Sequence, residues 1–134
     1  MFKLSVVSPE RVLYEQEVQG IVVPGSEGYL GVLSNHAPLI SSLAPGKITI
    51  TESDEKQRIA AVSGGFIEVS DNVATILAET VEFVEEIDLD RARTAYERAK
   101  ERIGMKKSGI DMQRALAALR RAENRLKIAE GKAP

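Results

Sequence analysis

A six-residue pattern written twice constrains how this chain can fold. Ile87-Asp88-Leu89-Asp90-Arg91-Ala92 returns as Ile110-Asp111-Met112-Gln113-Arg114-Ala115, and each copy opens a run dense in Ala, Arg, Glu and Leu. An aspartate side chain accepts backbone N–H bonds at a helix start and suits the positive end of the helix dipole. Asp88 and Asp111 therefore predict two helix N-termini. The glycines of Gly104-Met105-Lys106-Lys107-Ser108-Gly109 predict the break between them. Residues 87–134 are expected to form an antiparallel two-helix hairpin.

Residues 1–86 follow a different period. Phe2–Val7, Val12–Tyr14, Val18–Val23, Ile48–Thr51, Arg58–Val62, Phe66–Val69, Val73–Leu77 and Val81–Val84 alternate apolar and polar residues or are rich in β-branched ones. Pro24-Gly25, Pro45-Gly46 and Ser70-Asp71-Asn72 punctuate them, and Glu52-Ser53-Asp54-Glu55-Lys56 reads as a hairpin tip. Short strands at this spacing predict a β-sandwich or barrel. The fold class is α+β, a β domain over 1–86 followed by a helical arm over 87–134.

Composition excludes several kinds of chemistry. The chain has no cysteine, so disulfides and thiolate nucleophiles or metal sites are ruled out. Met1-Phe2-Lys3 opens no basic and then apolar leader, so no secretory signal is expected. No apolar run approaches the ~18–20 residues needed to span a bilayer, so a membrane is expected to be reached only through a partner. Net charge is −2 but uneven: residues 1–86 hold 5 Lys/Arg against 13 Asp/Glu, and residues 87–134 hold 13 against 7. The basic arm suits either the acidic β half or an external anion. The acidic β half and the scarcity of aromatic residues in the arm argue against nucleic acid.

In the β half, Gly25-Ser26-Glu27-Gly28-Tyr29-Leu30-Gly31 precedes the single histidine, in His36-Ala37-Pro38. A phosphate cradle would need a helix after the glycines, and Pro38 opposes one. Tight strand reversals are the expected use of these glycines. A lone His36 without a second ligand is no metal site, and an enzyme built on His36 and Glu27 lacks a nucleophile or second base. Ser63-Gly64-Gly65-Phe66 likewise has no nucleophile-elbow context.

In the arm, Ala92, Ala95, Tyr96, Ala99 and Ile103 form one predicted stripe, and Ala115, Ala118, Leu119, Ala122, Leu126 and Ala129 form the other. Such an alanine seam buries little area and predicts a hairpin that opens at low cost. Arg91 and Arg98 share a helix face, as do Arg114, Arg121 and Arg125. A turn near Lys106-Lys107 sets Arg91 between Arg121 and Arg125. Asp88, Asp90, Glu97 and Glu123 are local candidates to offset that repulsion, and a polyanion held by guanidinium forks is the alternative. Spacing leaves both open.

Gly25-x-x-Gly28-x-Leu30-Gly31, His36-x-Pro38, Ser63-Gly64-Gly65-Phe66-x-Glu68-Val69 and Ile87-Asp88-x-x-Arg91-Ala92 stand in the order found in the epsilon subunit family of bacterial F-type ATP synthases, which this chain resembles over essentially its whole length. The resemblance implies a flattened sandwich of about ten strands, bound to the gamma subunit and the c-subunit ring at the foot of a rotor stalk. Glu27, Gly28, Tyr29 and His36 lie on loops that it implies face the ring. It also implies a non-catalytic subunit, peripheral on the cytoplasmic side of the cell membrane. The arm would fold as a hairpin or extend beside gamma, reaching the alpha and beta subunits and inhibiting ATP hydrolysis. ATP, as a regulatory ligand, would stabilise the hairpin through Glu82, Asp88, Arg91, Arg98, Arg121 and Arg125, with the part played by Mg2+ undecided. A stand-alone β-sandwich binding module with a helical dimerisation tail is the competing reading.

Overall fold

The structure, a computed structural model, describes residues 1–105 and 112–131. The chain forms two compact units, Met1–Val84 and Glu85–Pro134. The division falls just before Ile87, at a single 3-10 turn over Val84–Glu86.

The first unit is a sandwich of nine strands: β1 Phe2–Val7, β2 Val12–Gly25, β3 Gly28–Leu33, β4 Leu39–Leu43, β5 Gly46–Glu52, β6 Gln57–Val62, β7 Gly65–Ser70, β8 Val73–Ala78 and β9 Val81–Phe83. The β5–β6 and β7–β8 hairpins pair as their sequence pattern requires. Asp71 and Asn72 both take positive φ (52° and 60°), which gives the β7–β8 loop the twist that two-residue hairpins favour. Two strands escape the alternation rule: β3 lies in the glycine-rich stretch read as reversals alone, and β4, Leu-Ile-Ser-Ser-Leu, falls where no strand was expected. The separate segments expected at Val12–Tyr14 and Val18–Val23 are one strand, β2, of 14 residues.

That strand belongs to both layers. Its first half pairs with β1, and its second half pairs with β3 on one side and β5 on the other. One layer runs β1-β8-β7-β4 and the other β5-β6-β9, with β2 joining them. Opposite β5 the partner of Val18 is Glu52 and that of Gly20 is Thr51, so Gln19 is an extra residue, a β-bulge. Because side chains alternate along a strand, one extra residue exchanges the faces. Tyr14 and Val18 point inward before the bulge, and Ile21 and Val23 do so after it. The core between the layers is filled by Phe2, Leu4, Ile48, Ile50, Ile67 and Ile76, all 2% exposed or less.

A polar clasp closes one end of the core. The Tyr14 hydroxyl donates to Glu52 Oε2 at 2.6 Å, and burial with that bond raises the phenol pKa well above its ordinary value. The Arg58 guanidinium lies 4.0 Å from the centre of the Phe83 ring and 5.9 Å from that of Tyr14. Phe83, the last residue of β9, is thereby fixed next to the end of the unit.

The second unit holds α1 Leu89–Met105 and α2 Met112–Ala129. Gly104 does not end α1, which continues through it with ordinary backbone angles. Ile110, Asp111 and Lys106-Lys107, on which the second cap and the turn were placed, lie outside the described residues. No described helix is long and apolar enough to cross a membrane.

The bulge has a measurable consequence. Gln19→Ala removes only a side-chain bond from Gln19 Nε2 to the Ser53 carbonyl (3.1 Å) and should cost about 1 kcal/mol or less in urea unfolding. Deleting Gln19 should cost several times more, since either Val18 or Ile21 must turn outward. A deletion as mild as the substitution would mean that the bulge does not set the register.

Candidate functional site

The start of α1 is capped as its sequence requires. The Arg91 amide donates to Asp88 Oδ1 at 3.2 Å, and the Ala92 amide donates to the Asp88 carbonyl at 2.9 Å. Asp88 is thus the N-cap and Arg91 the third helical residue. At the far end of α2, Gly131 takes a φ of 73° and its amide donates to the Ile128 carbonyl, terminating the helix. The helices run antiparallel: Arg93, in the second turn of α1, lies 3.6 Å from Glu130 just past the end of α2.

Ala92 is 1% exposed and Ala115 7%, as the alanine seam requires. Ala95 leaves the predicted stripe and is exposed, while Ile128, not placed in it, is buried at 3% exposure.

Between the helices a cleft of about 670 Å³ is lined by Asp90, Arg91, Thr94, Ala95, Arg98 and Arg125. Three of the arginines expected together, Arg91, Arg98 and Arg125, are on its walls. Arg121 is exposed and is not among the lining residues. The register accounts for this. The Arg93–Glu130 pair mirrors Arg98 onto residue 125 and Arg121 onto residue 102, rather than Arg91 onto residue 123. That change favours Arg125 and moves Arg121 a turn away. Asp90 was expected beside the arginines only as a counter-charge, and Thr94 and Ala95 were not anticipated as cleft residues. Their signal was present, because Arg91, Ala95 and Arg98 follow a helical step of four and then three, with Asp90 and Thr94 one strip over. Assigning Ala95 to the seam hid it. Glu82 is carried by the other unit, half-buried on β9 opposite Ala61.

The other candidate residues are on the sandwich. Glu27 is exposed in the β2–β3 turn, and Gly28 opens β3 with a φ of 131°. Tyr29 is 48% exposed, and its hydroxyl accepts from the Lys47 amide at 3.0 Å, tying this turn to the start of β5. His36 follows the other end of β3, so the two ring-facing candidates stand at opposite ends of a six-residue strand, about 17 Å apart. His36 Nδ1 lies 2.7 Å from the Ala37 carbonyl, within hydrogen-bond distance. At Ser63-Gly64-Gly65-Phe66 the reason for the glycine is steric. A Cβ on Gly65 would fall 2.0 Å from the Leu77 carbonyl oxygen, at a φ of 140°.

An apolar patch covers the outer face of β4, β7 and β8. Ile40 is 75% exposed, Phe66 57% and Leu77 52%. Phe66 and Leu77 are direct cross-strand partners, and Ile40 lies diagonally across from Phe66. Beside them opens a cleft of about 540 Å³ reaching Val7, Pro9 and Leu43.

Replacing Asp88 by Ala should cost about 1 kcal/mol of helix stability. Amide exchange should quicken across the first turns of α1 and stay unchanged in the sandwich. Unchanged exchange in α1 would show that the cap contributes nothing there.

Comparison with known proteins gives one answer for both units. Residues 1–84 match the family model described as the β-sandwich domain of the ATP synthase delta/epsilon chain, and residues 85–130 match the long alpha-helix domain of the same chain. The ATP synthase epsilon chain of Moorella thermoacetica is 47% identical over 126 residues, 94% of each chain. That of Desulfitobacterium hafniense strain Y51 is 50% identical over 128 residues, 96% of each. A chain in the cryo-EM structure of the Euglena gracilis mitochondrial ATP synthase, OSCP/F1/c-ring in rotational state 1, superposes with a TM-score of 0.82 at 28% identity, covering 95% of this chain and 79% of that one. A chain of the Tetrahymena thermophila central stalk and c-ring, at 14% identity and a TM-score of 0.59, shares the fold.

Proposed function

From the premise that this chain belongs to the epsilon chain family of ATP synthase, a subunit of the enzyme complex rather than its catalyst, we propose that it is a central-stalk subunit whose helical arm is regulated by ATP. The sandwich binds the gamma subunit and the c-ring. The patch of Ile40, Phe66 and Leu77 supports this, since contiguous exposed apolar residues on a soluble fold mark a protein interface, and gamma is the partner assigned to it. The turn at Glu27, Gly28 and Tyr29 is assigned to the ring. The loop at His36, past the other end of β3, is assigned to the ring as well. The complex translocates protons or sodium ions, and this subunit sits on the cytoplasmic face of the membrane, attached through its partners.

The observation that carries the regulatory part is the cleft on the hairpin. Arg91, Arg98 and Arg125 line one cavity, and guanidinium groups suit phosphate oxygens in paired geometry. ATP bound there stabilises the hairpin by mass action and disfavours the extended arm, whose basic residues meet the alpha and beta subunits and inhibit hydrolysis. Asp88 contributes by fixing the start of α1, and Glu82 is assigned to the same nucleotide on the family resemblance. ATP is the ligand in this reading, and titration with and without Mg2+ decides whether the metal accompanies it.

Calorimetric titration of the full chain with ATP tests the cleft. Arg91→Ala and Arg125→Ala should each weaken binding by about tenfold or more, and Arg121→Ala, outside the cleft, by less. Equal affinity in all four proteins would remove ATP from this site.

The regulatory role has its own test. A chain ending at residue 86 should still assemble with gamma and should raise ATP hydrolysis by the assembled complex. Hydrolysis equal to that with the full chain would show that the arm does not inhibit.

A further inference from the structure

The loop that carries His36, residues 34–38, joins β3, on the second half of β2, to β4 in the layer of β7 and β8. A loop crossing between layers takes its shape from whatever holds its backbone. The His36 ring meets its neighbour Ala37, inside the loop, so that contact does not tie the loop to the sandwich. The Asn35 amide does. It donates to Asn72 Oδ1 at 2.8 Å, reaching the turn between β7 and β8.

Asn72 uses both ends of its side chain. While Oδ1 accepts from Asn35, Nδ2 donates to the Met1 carbonyl at 2.9 Å. Its own carbonyl accepts from the Lys3 amide at 3.3 Å. One residue thus joins three segments: the start of β1, the β7–β8 turn and the His36 loop. A side-chain amide fits this place because it carries an acceptor beside a donor, whereas a carboxylate offers acceptors alone. The backbone asks for less. Asn72 has a φ of 60°, which asparagine tolerates and glycine adopts more readily still. A residue needed only for the turn could be glycine. The two side-chain bonds are what glycine cannot supply.

We propose that Asn72 is the positioning residue of the His36 loop, fixing its backbone against the start of β1 and so presenting the loop to the ring. This rests on the assignment of that loop to the ring. The turn of Glu27, Gly28 and Tyr29 has its own tie, from the Lys47 amide to the Tyr29 hydroxyl, so the two contacts are positioned independently.

The test compares the full chain with Asn72→Gly, Asn72→Asp and His36→Ala. Amide exchange is followed residue by residue, and binding is measured to gamma alone and to gamma seated on the c-ring. Asn72→Gly keeps the turn and removes the side-chain bonds. Its Asn35 amide should exchange about fivefold faster, the scale of one ordinary hydrogen bond, while Lys47 exchanges as in the parent. Affinity for gamma alone should not change, and affinity for gamma on the ring should fall by a similar factor. Asn72→Asp keeps an acceptor for Asn35, so it should keep the parent's exchange at Asn35 and its ring affinity. Parental exchange at Asn35 in Asn72→Gly would overturn the role of Asn72. So would an equal loss of affinity for gamma alone, because the damage would then reach beyond the loop. Ring affinity lost in His36→Ala but kept in Asn72→Gly would overturn positioning and leave the ring reading standing. Ring affinity unchanged in both, with Asn35 exchanging faster in Asn72→Gly, would overturn the ring reading of the loop and leave only the tie.

Discussion

The two layers of the sandwich depend on one extra residue in β2. A strand that served a single layer could keep its inward side chains in one phase. β2 serves both, and Gln19 changes the phase in mid-strand. Val18 and Ile21 are both buried only because the bulge lies between them. The rest of the sandwich follows from that joint. β3 has a partner because the second half of β2 offers it an edge, and β4 meets the end of β2 where Leu43 pairs with Gly25. The apolar patch on β4, β7 and β8 is thus held by a layer anchored, through β1 and β4, to the same strand.

Much of this was legible in the residues, and the failures have physical causes. The hairpins at Glu52–Lys56 and Asp71-Asn72 could be read because turn chemistry and alternation agree there. β3 was missed because Gly28 and Gly31 weaken its apolar pattern, so its identity comes from pairing with β2 and not from propensity. β2 was divided because Glu15, Gln16 and Glu17 are exposed, which looks like a loop in a sequence although the backbone stays extended. The bulge at Gln19 leaves no mark in composition. In the arm, the helix start at Asp88 was legible because capping is local. The mate of Arg91 was not, because a mirror argument inherits every error in the position of the turn.

The contents of the hairpin seam explain why a cleft on its surface can matter. Among the described residues its buried side chains are Ala92, Ala115 and Ile128. A buried methyl group contributes about 0.8 kcal/mol, so the two alanines add little, and among the described residues Ile128 is the one large side chain that is buried. Helices of 17 and 18 residues are only a little longer than the ~12–15 residues below which an isolated helix is marginal in water. The ion pair of Arg93 with Glu130 is partly exposed and adds at most about 1 kcal/mol. A ligand present at a hundred times its dissociation constant adds about 2.7 kcal/mol to whichever state binds it. That is comparable to the seam itself. A better-packed hairpin would be insensitive to such a ligand.

The arrangement of charge points the same way. Arg91, Arg98 and Arg125 around one cleft oppose closure of the hairpin, and Asp90 is the carboxylate on its walls that partly relieves them. If relief were its only purpose, full neutralisation would stabilise the hairpin more, and Glu123 is on α2 to help. Glu123 instead pairs with Lys127, within its own helix. On α1 the cleft sets Arg91 and Arg98 against the single carboxylate of Asp90, a positive excess that an incoming anion can neutralise. That excess makes the closed hairpin responsive to a polyphosphate ligand rather than permanently shut.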